Sequence, residues 1–336
     1  LGGFAKVSRI GIPRTLAYFI YFPFWKTFFE ELDQEVVLSS PTTREIMDHG
    51  VREAVNDACI PIKLYHGHVA DLASKVDYVF CPRLVSVRKH GDFGTETFCP
   101  KFLGLPDMVR LAMDNLPEII DVRVDLKQGK DELLNVCSQV GDLLGKSEVE
   151  IKKAYQSAMK VQKRFKKLLY QNMTPEEALD MLFAKGERKP LLTQPDLQIA
   201  VVGYPYVIYD DYINGRILSL LAKENVNVYT QDMLSDKIMN RQARNLPKSM
   251  FWYFSNRAVY GALHFMQQKN IDGIIHITAF ACGPDSIVDR LLEIEARRHG
   301  QIPYLSIAVD EHTGDAGVRT RVEAFLDMLR FRREKS

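Results

Sequence analysis

Short apolar runs recur along this chain at intervals that leave room for a helix between neighbours, and the pattern is played out twice. In the first half, Arg9-Ile10-Gly11-Ile12, Glu35-Val36-Val37-Leu38, Val76-Asp77-Tyr78-Val79-Phe80 and Ile119-Ile120-Asp121-Val122 read as strands. In the second, Gln198-Ile199-Ala200-Val201-Val202-Gly203, Val226-Asn227-Val228-Tyr229, Ile271-Asp272-Gly273-Ile274-Ile275 and Tyr304-Leu305-Ser306-Ile307-Ala308-Val309 do the same. Strands separated by helices pair in parallel, because each helix is the crossover that returns the chain to the same end of the sheet. The expected fold class is α/β: two parallel-sheet domains joined by a long amphipathic helix. Residues 6–128 are the expected N-terminal α/β domain, carrying Cys59, Cys81 and Cys99. Residues 129–195 are a helical linker region, and 196–334 a C-terminal α/β domain carrying Cys282.

The helices carry their own signals. The stretch from Thr15 to Leu32 holds Tyr18, Phe19, Tyr21, Phe22, Phe24, Trp25, Phe28 and Phe29, a density expected of a helix sunk in a core. Ile151, Ala154, Tyr155, Ala158, Val161, Phe165, Leu168 and Leu169 recur at helical spacing, with Lys152, Lys153, Lys160, Lys163, Arg164, Lys166 and Lys167 on the other face. That basic face is expected to be solvated, with docking of an acidic partner or phosphate-bearing ligand as its functional alternative. Thr174-Pro175-Glu176-Glu177 marks a helix start, and Lys185 to Pro195 a linker.

Composition excludes several classes. A net charge of +1 offers no bulk attraction to nucleic acid or anionic membrane. No apolar run approaches the roughly 18 residues that a membrane span needs. Leu1 to Ala5 shows no charged-then-apolar leader pattern, and five cysteines in 336 residues do not suggest a disulfide framework, so the expected location is the cytoplasm. The fingerprints of phosphate-binding loops, dinucleotide-binding turns, serine nucleophile elbows and helical zinc proteases are all missing.

What stands out is cysteine. An apolar strand runs into His276-Ile277-Thr278-Ala279-Phe280-Ala281-Cys282-Gly283-Pro284-Asp285-Ser286, and a helix from Ile287 to His299 leaves it. A thiol at the carboxyl end of a parallel strand stands where open α/β sheets bind ligands. Amide groups at the start of the following helix would stabilise a thiolate there. Cys59 before Ile60-Pro61, and Cys99 before Pro100, are expected in similar settings, each proline interrupting regular pairing and leaving the thiol in an irregular loop. Cys137 falls in a helical apolar pattern and reads as packing, and Cys81, ahead of Pro82, is a doubtful ligand. Three converging thiolates favour a soft metal centre. Zinc would need a fourth ligand, for which His66, His68, His90, His276 or Cys81 are candidates, whereas an iron–sulfur cluster held by three would keep one iron open.

A set of motifs spread over nearly the whole chain resembles one family. They are Ile10-Gly11-Ile12-Pro13-Arg14, Tyr21-Phe22-Pro23-Phe24-Trp25, Asp57-Ala58-Cys59-Ile60-Pro61-Ile62-Lys63, His66-Gly67-His68-Val69, Pro82-Arg83, Cys99-Pro100-Lys101-Phe102-Leu103-Gly104-Leu105-Pro106-Asp107, Cys282-Gly283-Pro284-Asp285-Ser286 and Asp310-Glu311-His312-Thr313-Gly314. The family is that of acyl-CoA dehydratase activase-related domains, itself similar to the 2-hydroxyacyl-CoA dehydratase D-component and double-cubane-cluster proteins. The resemblance implies flavodoxin/Rossmann-like subdomains and an iron–sulfur cluster, 4Fe–4S or alternatively 8Fe–9S, held by Cys59, Cys99 and Cys282. It implies low-potential redox chemistry in an anaerobic setting, with an ATP-dependent activase as partner and an acyl-CoA or other small molecule as candidate substrate. An oligomer is a candidate assembly. Lys63, His66, His276, Glu311 and His312 are candidates for groups around the cluster, and of these His276, Glu311 and His312 are the catalytic candidates. The alternative is a non-catalytic cluster-binding or electron-transfer partner of an activase.

Overall fold

The computed structural model describes residues 7–87, 97–184, 186–187, 191–298 and 302–335. Leu1 to Ala5, His90, Lys185 and His299, which figure in the expectations above, lie outside these described residues. The chain divides into two compact units, the second made of Lys167–Ser336 together with Cys59–Pro61 from the N-terminal half.

The first unit contains β1 (Arg9–Ile12), α1 (Tyr18–Glu31), β2 (Glu35–Leu38), α2 (Arg44–Glu53), most of α3 (Ile60–Leu72), β3 (Tyr78–Phe80), β4 (Arg83–Ser86), α4 (Pro100–Ala112), β5 (Glu118–Ile120), β6 (Arg123–Asp125), α5 (Glu132–Leu143) and most of α6 (Glu148–Leu169). Its main sheet is parallel, in the order β2-β1-β3-β5. The second unit adds α7 (Pro175–Leu179), β7 (Leu197–Gly203), α8 (Pro205–Ile208), α9 (Ile217–Lys223), β8 (Val226–Thr230), α10 (Asp236–Gln242), α11 (Tyr253–Met266), β9 (Gly273–Ala279), α12 (Gly283–Arg298), β10 (Tyr304–Val309) and α13 (Asp315–Glu334). Its sheet, also parallel throughout, runs β8-β7-β9-β10.

Counted by order of appearance, both sheets follow the same sequence: second strand, first, third, fourth. In that arrangement the chain winds one way from the first strand and the other way from the third. The crevice at their carboxyl ends is the topological switch point where ligands bind. Every residue of β9 is buried, as helices on both faces require.

The aromatic stretch is the core helix its composition predicts: α1 buries Tyr18, Phe19, Phe22, Phe24, Trp25, Phe28 and Phe29. Helix α6 buries Ile151, Ala154, Ala158, Phe165 and Leu168, while Lys152, Lys153, Lys160, Lys163 and Arg164 face water. Thr174 and Glu177 close a reciprocal capping box, but the helix they start is short and loosens into a π turn at Asp180–Ala184. The two-stranded ladder β4-β6 has no counterpart among the expected strands; its strands carry only two and one apolar residues between polar ends. Among the described residues, no helix is long and apolar enough to cross a membrane.

Helix α3, which follows Cys59, is seated against α2 by two glycines. A Cβ on Gly50 would lie 1.9 Å from the Lys63 carbonyl oxygen, and one on Gly67 would lie 2.0 Å from that of Ile46. Only hydrogen side chains allow the two backbones to approach this closely.

Candidate functional site

The five cysteines fall into two kinds. Cys59, Cys99 and Cys282 each stand immediately before the first residue of a helix: α3, α4 and α12. The prolines that follow them do not hold the thiols in open loops. Pro61, Pro100 and Pro284 occupy the first or second position of each helix, where the missing N–H has no intrahelical acceptor to lose. Cys-x-Pro and Cys-Pro are therefore helix starts in this chain, and each thiol sits at the positive end of a helix. Cys99 and Cys282 are partly exposed, and Cys59 is 8% exposed.

Cys81 and Cys137 differ on both counts. Cys81 lies just past the end of β3, fully buried; burial pushes its thiol up to about 12, and the Tyr65 hydroxyl is its hydrogen-bond partner. Cys137 is inside α5 and raised by burial alone. Burial holds both in the thiol form and so disfavours the thiolate that a metal needs.

In the second unit the switch point lies between β7 and β9. Gly203 ends β7 with φ +146°, a conformation that favours glycine, and a Cβ there would stand 2.4 Å from the Ile277 carbonyl oxygen of β9. The next residues are Tyr204, Pro205 and Tyr206. Tyr206 is 5% exposed, and its phenol is held well above the ordinary tyrosine range, first by burial and then by the nearby Cys282, Tyr204 and Cys59. Cys59 and Cys282, 223 positions apart, thus both bear on one phenol inside one compact unit. Tyr206 escaped the sequence reading. Its signal was available in Gly203-Tyr204-Pro205-Tyr206 directly after an apolar strand, at the same strand end that drew attention to Cys282.

The turn carrying Cys282 is clasped from beneath. The His276 ring is fully buried on β9, with Nδ1 2.9 Å from Asp289 Oδ1 and Nε2 3.3 Å from Asp285 Oδ1. Tyr304 donates its hydroxyl to Asp289 Oδ1 at 2.7 Å, and Asp285 Oδ2 accepts from the Ala279 amide at 3.3 Å. Burial pulls the His276 pKa down, but the Asp285 and Asp289 carboxylates outweigh it and lift the ring to about 9. The group is an imidazolium that donates from both nitrogens. It ties the first two turns of α12 to the strand through Asp285 and Asp289. Glu311 and His312 follow β10, whose Val309 is paired in register with Ala279, so they share the carboxyl edge with Cys282. Asp310 holds that turn by accepting from the His312 amide at 2.9 Å and from Thr313 Oγ1 at 2.8 Å; Glu311 is half-buried and His312 exposed.

The remaining candidates have structural partners. His66 Nδ1 lies 2.8 Å from the Ile62 carbonyl oxygen. His68 is flanked by Ser39 Oγ at 2.9 Å and Thr42 Oγ1 at 3.1 Å, and burial lowers it to about 4, so it stays neutral. Lys63 is buried on α3. Among the described residues, no three His, Cys, Asp or Glu side chains are gathered closely enough to hold a single metal ion. His68 and His276 have both ring nitrogens partnered, Cys81 has Tyr65, His66 has a partner on Nδ1, and His90 lies outside the described residues. A cluster is larger than an ion and asks its thiolates to stand farther apart. The donor set itself suits one: three cysteines, each at a helix start.

Comparison with known proteins adds the following. The profile of the family described as CoA enzyme activase uncharacterised domain matches residues 9–234. That of the 2-hydroxyglutaryl-CoA dehydratase D-component family matches residues 174–329. Curated proteins provide no match. Among solved structures, ZnuA aligns at 10% identity and a TM-score of 0.28, covering 97% of this chain and 98% of that one. The C-terminal domain of glucosamine-fructose-6-phosphate aminotransferase from Francisella tularensis aligns at 9% identity and a TM-score of 0.23, covering 97% and 84%. Likenesses this weak carry no argument about fold or function.

Proposed function

Since this chain belongs to the CoA enzyme activase uncharacterised domain family and its second half matches the dehydratase D-component, we propose that it is an iron–sulfur protein of the 2-hydroxyacyl-CoA dehydratase type, served by an ATP-dependent activase. Cys59, Cys99 and Cys282 are the proposed ligands of a 4Fe–4S cluster, with 8Fe–9S as the alternative. The observation that carries this reading is the division of the cysteines: these three thiols head helices, while Cys81 and Cys137 are buried thiols of raised pKa.

When bound, such a cluster supplies low-potential one-electron chemistry and, with three protein ligands, an iron open to substrate. The protein's part is positional. Helix-start amides place the positive end of a helix dipole beside each sulfur, a setting that suits a negatively charged cluster. Tyr206 stays protonated near Cys59 and Cys282, a neutral phenol beside the proposed ligands. The His276 clasp keeps Cys282 from drifting with its turn. Glu311 and His312, on the same strand edge, are the residues proposed to exchange protons with a bound acyl-CoA.

A second reading, an electron-transfer partner without its own substrate, is favoured by α6. Its exposed Lys160, Lys163, Arg164 and Lys167 offer a docking face for an acidic protein.

The test is iron and acid-labile sulfide after anaerobic purification. Wild type, Cys81→Ala and Cys137→Ala should carry equal iron, and Cys59→Ala, Cys99→Ala and Cys282→Ala should lose most of it. Equal iron in all five variants, or a colourless wild type, would overturn the proposal. Turnover of acyl-CoA substrates with activase and ATP then separates enzyme from electron-transfer partner.

A further inference from the structure

The switch point of the first unit is occupied by a pocket that the cluster reading does not use. It opens where the chain leaves β1 and β3: Ile12 and Pro13 on one side, Phe80 and Pro82 on the other. It contains about 510 Å³ of empty space, mouth included. None of its lining residues is charged, and the walls are mostly rings. Trp25 meets Phe80 with centroids 4.4 Å apart at 49°, and Tyr18 meets Phe22 at 4.8 Å and 38°. A charged ligand would surrender its hydration here with nothing to replace it. A flat apolar ring would find faces and edges on several sides.

Four of the lining residues carry hydroxyls, Thr15, Tyr18, Tyr21 and Tyr65, and Thr15 stands apart from the others. Thr15 is 1% exposed, and its Oγ1 has no hydrogen-bond partner among the described residues. The backbone around it is fully employed: Thr15 N–H donates to the Pro13 carbonyl at 2.9 Å, and its own carbonyl accepts from Tyr18 N–H at 3.1 Å. Next to it, Leu16 is held at φ +52°, a left-handed conformation unusual for a bulky residue. A buried hydroxyl without a partner is costly, and in a native protein it calls for an explanation. A strained neighbour in the same turn is the kind of backbone found at ligand sites.

We propose that this pocket binds an uncharged aromatic small molecule bearing one hydrogen-bonding oxygen, with Thr15 Oγ1 as the polar anchor. The inference does not depend on the cluster: pocket and cysteine chemistry are assayed by different measurements, and either can fail without the other.

Saturation-transfer NMR on the full chain, with acetophenone as probe, tests it. Acetophenone should bind; benzoate, of similar shape but charged, should not. The branched aliphatic ketone 4-methylpentan-2-one should bind more weakly than acetophenone. Thr15→Val should weaken acetophenone binding roughly three- to tenfold, the worth of one hydrogen bond, and leave toluene binding unchanged. Ala17→Phe, or Ala17→Leu should the larger residue impair folding, should block both ring probes by filling the pocket. Without ligand, Thr15→Val should melt no lower than wild type, because the hydroxyl it deletes contributes no bond to the fold. Absence of acetophenone binding, equal affinity in Thr15→Val, binding that survives both Ala17 variants, or preference for benzoate or the aliphatic ketone would each overturn the assignment. So would a lowered melting temperature for Thr15→Val, since it would mean the hydroxyl is already partnered.

Discussion

The two units share one strand order and use it in opposite electrostatic senses. At the carboxyl edge of the first unit, the pocket is lined by uncharged side chains and a buried His68 on α3 sits between two hydroxyls, while the charges at that edge, Arg83 with Asp107 and Asp121, are paired with one another outside the pocket lining. At the corresponding edge of the second, a buried His276 stands between two carboxylates under a cysteine-bearing turn. Two imidazoles, both removed from water, are driven apart by their partners, to about 4 for His68 and about 9 for His276. Desolvation acts on both in the same direction; only the carboxylates reverse it. The same topology thus provides a neutral crevice and an ionic one, depending on which side chains the strand ends deliver.

The largest expected effect is the loss of the ionic clasp. His276→Leu leaves Asp285 buried without its partner and should cost about 3–5 kcal/mol in chemical denaturation. His68→Leu removes only neutral hydrogen bonds and should cost about 1–3 kcal/mol. Equal costs would erase the distinction between the units. Iron retention should also fall in His276→Leu, through Cys282, and not in His68→Leu.

The pH dependence sharpens the same contrast. His276 has a raised folded pKa, so its contribution is complete below about 6.5 and is lost as pH rises through about 9. His68 has a depressed one, so its contribution is present above about 6.5 and is lost as pH falls through about 4. Each should amount to a few kcal/mol. Hydrogen exchange resolved by segment should show β9 and α12 loosening in alkali and α2 and α3 loosening in acid. The reverse order would refute the assignment of charge.

Gly203→Ala comes next. A φ of +146° and an approach of 2.4 Å to the Ile277 carbonyl oxygen should cost roughly 2 kcal/mol, measured by urea unfolding. The smallest effect belongs to Tyr65→Phe, which removes the partner of the Cys81 thiol and should cost about 1 kcal/mol. If Cys81 were a cluster ligand after all, Tyr65→Phe would change the iron content instead.

Much of this was written in local pattern. Eight strands and their parallel pairing followed from apolar runs spaced by helices, because the alternation repeats over stretches long enough to be counted. The ladder β4-β6 was not legible, since its strands, Arg83–Ser86 and Arg123–Asp125, carry only two and one apolar residues between polar ends. The helix starts at Ile60 and Pro100 were misplaced for a different reason. Proline was read as an interruption, whereas its meaning depends on whether the N–H it lacks would have had an acceptor. Local sequence does not say which.

By itself, then, the chain determined its strands, its helical stripes and the cysteines worth watching, because these depend on residue type and short-range spacing. Tertiary structure alone decided that His276 is clasped between two carboxylates, that Tyr206 stands near two thiols, and that the Cys81 thiol has Tyr65 as its partner. It also decided that the Thr15 hydroxyl is buried with no partner among the described residues. The protonation state and availability of a side chain are properties of its neighbours. Those neighbours come from strands and helices dozens or hundreds of residues away.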